Sequence, residues 1–209
     1  MKEHITQALA FRSAIKVFDS HKEVPADLLE AILESGRMAP SSYGLQPFRI
    51  INVKDLDTKN KIKEAAYGQA QVVEASHLFV LAVATHIDEA YIDAYIAHIS
   101  RTRDVSLESL SEYKGMMMGA IVGRSQDEKV SWASKQAYIA LGFMLETAAL
   151  VEVDAGPMEG FVSNKVDEIL SLSTSHLTSI CLLVIGYRGD DRYSKMKKVR
   201  VPKEQFIIG

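Results

Sequence analysis

The sequence holds a single cysteine, Cys181, in 209 residues. That excludes an internal disulfide and any multi-cysteine zinc site, and it makes a reducing cytoplasm the expected compartment. Long hydrophobic runs are missing too. The longest, Leu78–Ala84 and Ile180–Ile185, fall well short of the ~18 residues a membrane helix needs. The opening MKEHITQALAFR carries Glu3 and no apolar core, so it does not read as a signal peptide. No charge of one sign dominates: 24 Lys and Arg against 27 Asp and Glu leave a net charge of −3. This argues against a general nucleic-acid binder. Fingerprints are also absent, with no G-x-G-x-x-G after a strand, no P-loop, no H-E-x-x-H and no G-x-S-x-G. His4, His21, His77, His86, His98 and His176 are scattered, and no metal site is expected from them. His77, beside an apolar run, reads as a packing histidine with its hydrogen bonds satisfied.

What is present is ordinary globular composition, 47% hydrophobic and 24% charged, spread over residues 1–209 with no linker or repeat. A single domain is expected. Periodicity predicts helices over Lys2–Phe11, from Pro25 to Met38, and from Asp55 to Ala66. It predicts strands at Phe48–Val53, Leu78–Thr85 and Leu177–Tyr187. Asp88–Val122 reads as a mixed helical excursion. Asp127–Val151 is apolar on most faces, which predicts a long, central, buried helix. A short strand near Val151–Ala155 is expected before a Gly156–Gly160 loop, and Ser163 is placed as the cap of a following helix. Gly115, Gly119 and Gly123 recur at helical spacing, which suggests a close helix contact or a simple loop. The order of elements predicts an α+β domain.

Three islands and a tail carry the chemistry: Arg12-Ser13-Ala14-Ile15-Lys16, Pro40-Ser41-Ser42-Tyr43-Gly44-Leu45-Gln46-Pro47, Gly156-Pro157-Met158-Glu159-Gly160-Phe161, and Lys198-Val199-Arg200-Val201-Pro202. Each alone is compatible with a solvated face, a helix-stopping turn, a loop or a basic surface tail. In this order they resemble the FMN-dependent nitroreductase family, through its R-x-x-x-K-x-F opening, P-S-S-x-x-x-Q-P-F stretch, P-[IM]-E-G-F segment and terminal K-x-R-x-P.

The resemblance implies a nitroreductase-like fold: a central, mostly antiparallel sheet flanked by helices, in an intertwined homodimer with FMN at the subunit interface. It implies that Arg12, Lys198 and Arg200 hold the FMN phosphate, whose charge calls for converging guanidinium and ammonium groups. Lys16 is implied near the flavin N1–C2=O edge, where a cation stabilises charge gained on reduction. Pro40, Ser41, Ser42 and Gly44 are implied over the partner subunit's flavin. The Glu159 backbone N–H is implied at flavin N5, with Gly160 allowing close approach because it lacks a Cβ. No side chain is implied as a catalytic acid, base or nucleophile.

Departures from the family pattern are local. Ala14 stands where many members have a phosphate-binding Ser, with Ser13 as a substitute. Gly44 stands where many have Asn. In Tyr67-Gly68-Gln69-Ala70-Gln71 a strict match falls on Gly68, leaving Gln69, then Gln71, as candidates for the flavin's pyrimidine edge. The implied activity is ping-pong hydride transfer from NAD(P)H through FMN to nitroaromatics, quinones or similar flat acceptors. Another FMN redox role, such as dehalogenation or flavin supply, and a non-enzymatic FMN-binding protein remain alternatives. Neither a membrane nor a nucleic acid is an expected partner. The apolar ending Phe206-Ile207-Ile208 is expected to need a partner surface, or else to fold back on its own subunit.

Overall fold

A computed structural model describes all 209 residues. The helices are α1 (Lys2–Phe11), α2 (Ala26–Met38), α3 (Leu56–Ala65), α4 (Gln71–Glu74), α5 (Glu89–Arg103), α6 (Ser111–Met117), α7 (Gln126–Leu150), α8 (Ser163–Ile169) and α9 (Lys203–Phe206). Four strands, β1 (Phe48–Val53), β2 (His77–Ala84), β3 (Asp154–Met158) and β4 (Leu177–Gly186), form one antiparallel sheet in the order β1-β2-β4-β3. The α+β expectation holds. No helix is long and apolar enough to cross a membrane.

The two central strands are buried on both faces, which is why β2 and β4 read as continuous apolar runs rather than alternating ones. Leu78, Val80, Leu182 and Val184 point to a core completed by Ile62 of α3, Val72 of α4 and Val166 of α8. Phe79, Leu81, Leu183 and Ile185 point the other way, to Ile32 of α2 and Leu141 and Met144 of α7. A third cluster, Ile92, Ile96 and Ile99 of α5 with Met117 and Ile121, seals the excursion over Leu45 and Ala84.

Local signals place the helix starts. Asp55 accepts from the Thr58 N–H at 2.7 Å and Asp88 from the Tyr91 N–H at 2.9 Å. Ser125 and Glu128 form a reciprocal capping box at the head of α7.

Several expectations are corrected. The strand expected near Val151–Ala155 is β3, and it runs through Gly156 and Pro157 to Met158. Pro157 is tolerated because β3 is an edge strand paired only to β4. Ser163 does not cap α8; its hydroxyl donates to the Ser179 carbonyl at 2.7 Å. Gly115, Gly119 and Gly123 lie around the end of α6 and a π turn at Met118–Val122, and a Cβ on any of them would meet nothing within 4 Å. They mark no close helix contact. α7 is only half buried: Ala137, Ala140, Leu141 and Met144 face the core, while Ile139 (41% exposed) and Phe143 (44%) face outward. Its all-round apolar character thus reflects two surfaces, one of them uncovered in the single chain.

His77 is not satisfied, because its buried Nε2 has no hydrogen-bond partner. The ring stacks on Phe79 instead. Burial holds its pKa below the usual 6.5, opposed by Glu23 and reinforced by Lys59. Below pH 6.5 the unfolded chain therefore takes up a proton that the folded chain refuses. The stabilisation is present above that pH and declines as pH falls toward the folded pKa, by at most ~1.4 kcal/mol per pH unit. Urea unfolding at pH 7.5 and 5.0 should show a smaller stability loss in His77→Phe than in the parent; an equal loss would contradict this account.

Candidate functional site

The first sequence island leaves α1 at its C-terminus, where Arg12 turns into extended backbone. Lys198, from the far end of the chain, donates to the last α1 carbonyls, Leu9 O at 2.6 Å and Ala10 O at 2.5 Å. Arg12, Arg200 and Lys198 thereby become neighbours. Burial, then Arg200, lowers the Arg12 pKa. Burial, then Arg12, Arg200 and Arg188, lowers that of Lys198. No carboxylate forms a salt bridge with Arg12, Lys198 or Arg200. Three cations in mutual repulsion with no internal counter-ion form a cradle for an external anion. Ser13 is partly buried beside them, and the Lys16 side chain is exposed.

Two carboxylates that sequence reasoning passes over build this cradle. Asp191, fully buried, accepts from the Lys16 and Val17 N–H groups with Oδ2, and from the Tyr193 N–H with Oδ1 at 2.7 Å. Burial pushes its carboxyl up, but the N–H groups of Lys16, Tyr193, Val17 and Ser194 outweigh this and hold it below the usual range. It latches the C-terminal segment onto the Arg12–Val17 segment. Asp154, at the start of β3, pairs with Arg188 (Nη2–Oδ1 2.6 Å), whose guanidinium lies 4.1 Å over the Phe11 ring and also bonds the Phe11 carbonyl. Arg188 thus has its own counter-ion and adds field rather than a free ligand. Neither contact has a local sequence signal, since the partners that join separate segments, Lys16 and Val17 for Asp191 and Arg188 for Asp154, lie in remote parts of the chain.

At the opposite end of β3 stand Glu159 and Gly160. The Glu159 carbonyl accepts from the Phe161 N–H at 2.9 Å, but the N–H groups of Glu159 and Gly160 donate to nothing in the chain. Gln69, expected from a distant island, is brought here: its Nε2 donates to the Gly160 carbonyl at 2.8 Å and the Ala66 carbonyl at 3.1 Å. Its Oε1 accepts from the buried Gln71. Gln69 therefore braces the turn with all of its amide engaged. On the other side the Tyr138 hydroxyl of α7 donates to Glu159 Oε1 at 2.5 Å. A cleft of about 430 Å³ adjoins this turn, lined by Tyr138, Leu141, Leu145, Pro157, Glu159 and Cys181. Five residue steps of ~3.4 Å take the chain from Asp154 to Glu159, or ~17 Å. Ile15 runs alongside, its carbonyl packed close to Gly156.

The Pro40–Pro47 loop lies elsewhere in the chain and shares no hydrogen bond with either cluster. Pro40 and Gly44 are exposed and Ser41 and Ser42 partly so. Tyr43, Gly44 and Gln46 all have left-handed φ, a conformation that must be held by its surroundings. The Ser42 N–H donates to Gln136 Oε1 of α7 at 2.8 Å, and the Ser41 hydroxyl accepts from the Gln46 N–H at 3.0 Å. Tyr95 and Tyr113, from α5 and α6, both donate to the Tyr43 carbonyl, at 2.9 and 2.6 Å. A Cβ at Gly44 would lie 2.5 Å from the Tyr95 hydroxyl oxygen. The structure thus gathers Arg12, Lys198 and Arg200 in one place and Gln69, Glu159 and Gly160 in another, and leaves Ser41, Ser42 and Gly44 apart.

Replacing Asp191 with Asn removes the charge its N–H donors converge on. A stability loss of ~1.5–3 kcal/mol is expected, with faster proteolysis after residue 191. Unchanged stability and proteolysis would remove Asp191 from this role.

Comparison with known proteins follows the same lines. A sequence profile described as "Nitroreductase family" matches residues 9–187. A Staphylococcus haemolyticus protein provisionally named an NAD(P)H nitroreductase is 33% identical over 215 residues, covering 99% of this chain and 97% of its own. Two crystal structures share the fold. A Staphylococcus epidermidis protein with the provisional description NAD(P)H:FMN oxidoreductase superposes with a TM-score of 0.83, at 18% identity over 98% of this chain and 95% of its own. An Exiguobacterium sibiricum protein solved with FMN gives 0.80, at 17% identity over 98% of this chain and 96% of its own.

Proposed function

The chain belongs to the nitroreductase family, and we propose that it is an FMN-dependent NAD(P)H oxidoreductase reducing nitroaromatics, quinones or related flat acceptors. The observation that carries this reading is the uncompensated cradle of Arg12, Lys198 and Arg200, in a chain that also leaves two backbone amides free at the turn after β3. An anion at one end and a hydrogen-bond acceptor at the other are the requirements of FMN, whose phosphate and ring are joined by an extended ribityl chain. The residues present fit that group.

FMN bound there would supply the hydride-transfer chemistry between NAD(P)H and the acceptor. The protein's part is binding, orientation and electrostatics. Arg12, Lys198 and Arg200 hold the phosphate, with the Ser13 hydroxyl as a further donor in the place left by Ala14. The Lys16 ammonium, free of any internal salt bridge, stands for the flavin's N1–C2=O side, where it favours negative charge. The unpaired Glu159 and Gly160 N–H groups would donate to the flavin's N5 edge, and Gln69 keeps the turn in shape for them. No side chain is needed as a nucleophile, and water can supply protons.

The site is completed by a second copy. Ser41 and Ser42 stand away from the cradle of their own chain, as expected if they reach the partner's flavin with Pro40 and Gly44. The uncovered face of α7 and the tail, with Phe206 77% and Ile208 92% exposed, give that copy an apolar surface to bury. The tail does not fold back onto its own subunit.

One experiment tests the reading. The purified protein should be yellow, release FMN and not FAD, sediment as a dimer, and bleach anaerobically with NADH or NADPH. A colourless protein that fails to take up FMN, or a bound flavin inert to both nicotinamides, would overturn it.

A further inference from the structure

The hydrogen bond between Tyr138 and Glu159 joins α7 to the turn after β3, and the reaction proposed above makes no use of it. The Tyr138 hydroxyl donates to Oε1 at 2.5 Å, and no other hydrogen bond or salt bridge reaches that carboxylate. The cleft beneath them is otherwise lined by Leu141, Gly142, Leu145, Pro157 and Cys181. Its one other donor, the Cys181 thiol, is taken up by the Leu182 carbonyl. The rest of the turn is fixed from the other side, where Gln69 holds the Gly160 carbonyl at 2.8 Å. The Glu159 side chain is therefore the one charged group near the two free amides whose direction depends on a single contact.

We propose that Tyr138 is a positioning residue for the flavin edge: it ties the Glu159 carboxylate to the α7 side of the turn, so that the Glu159 and Gly160 N–H groups face the flavin without a competing negative charge. This rests on the functional reading above. Released, the carboxylate can rotate toward its own and the following N–H, or stand beside the ring that gains negative charge on reduction. Either placement disfavours the reduced flavin, because like charges in a partly desolvated site repel. Burial, and then the bond to Glu159, raise the pKa of the Tyr138 phenol. It stays a donor at every working pH.

Tyr138→Phe keeps the ring and deletes only the donor. Spectroelectrochemical titration of the bound flavin is the test, with Tyr138→Phe, Glu159→Gln and the double variant beside the parent. In Tyr138→Phe the reduced-to-oxidised ratio at a fixed potential should fall about tenfold, equivalent to about 30 mV for a two-electron couple. FMN content and melting temperature should stay at parent values. Adding Glu159→Gln should restore the ratio to within about twofold, since the displaced charge is then gone. A ratio unchanged in Tyr138→Phe, or a fall that Glu159→Gln does not relieve, overturns the proposal. A parent protein that binds no flavin overturns the functional reading itself, and this inference with it.

Discussion

Three cations drawn from the two ends of the chain meet at the C-terminus of α1 without a carboxylate to neutralise them. Electrostatics alone would drive Arg12, Lys198 and Arg200 apart; burial first, and their mutual repulsion second, lower the pKa values of Arg12 and Lys198. Other interactions hold them together. Lys198 is fastened to the α1 carbonyls, where a cation also meets the negative end of the helix dipole. Asp191 clasps the two chain segments through backbone N–H groups and contributes no charge to the cradle itself. Arg188 is neutralised separately by Asp154. The like-charge cost falls on this cluster, and any anion bound there would relieve it.

The sheet links this cluster to the turn at Glu159 and Gly160. β3 begins at the Asp154–Arg188 pair and ends at the turn with two unpaired amides. A strand is the stiffest way to keep two such ends a fixed distance apart, and its position at the sheet edge leaves one side open. Around the turn, Tyr138 and Gln69 grip from α7 and from the segment before α4. Around the Pro40–Pro47 loop, Gln136, Tyr95 and Tyr113 do the same. The excursion from Asp88 to Val122 thus has a structural role, because two of its tyrosines, Tyr95 and Tyr113, hold the left-handed turn at Tyr43.

Much of this is legible in the sequence. Residues with strong periodicity or caps, such as Phe48–Val53, Leu177–Gly186 and the head of α7, can be placed within a residue or two, because local propensity and burial agree there. Gly156 and Pro157 mislead, since both punctuate loops in general and only the edge position of β3 makes them a strand. The apolar surround of α7 reads as burial, when half of it is surface without cover in the single chain. Arg12, Lys198 and Arg200 can be named from motif resemblance. Asp154, Asp191, Gln136 and Tyr138 cannot, because each acts through a partner 21 to 175 residues away. His77 misleads for a related reason: an orphaned nitrogen is a fact of packing, not of composition.

The central claim is that the cradle of Arg12, Lys198 and Arg200 exists for the phosphate of FMN. Riboflavin has the same ring and ribityl chain without that phosphate, so fluorescence titration of the apo-protein with each isolates its contribution. FMN should bind at least about a hundredfold more tightly than riboflavin, and Arg200→Ala should reduce that preference at least about tenfold while leaving riboflavin affinity within about twofold. Equal affinities for the two flavins, or a preference that Arg200→Ala does not change, would contradict the account.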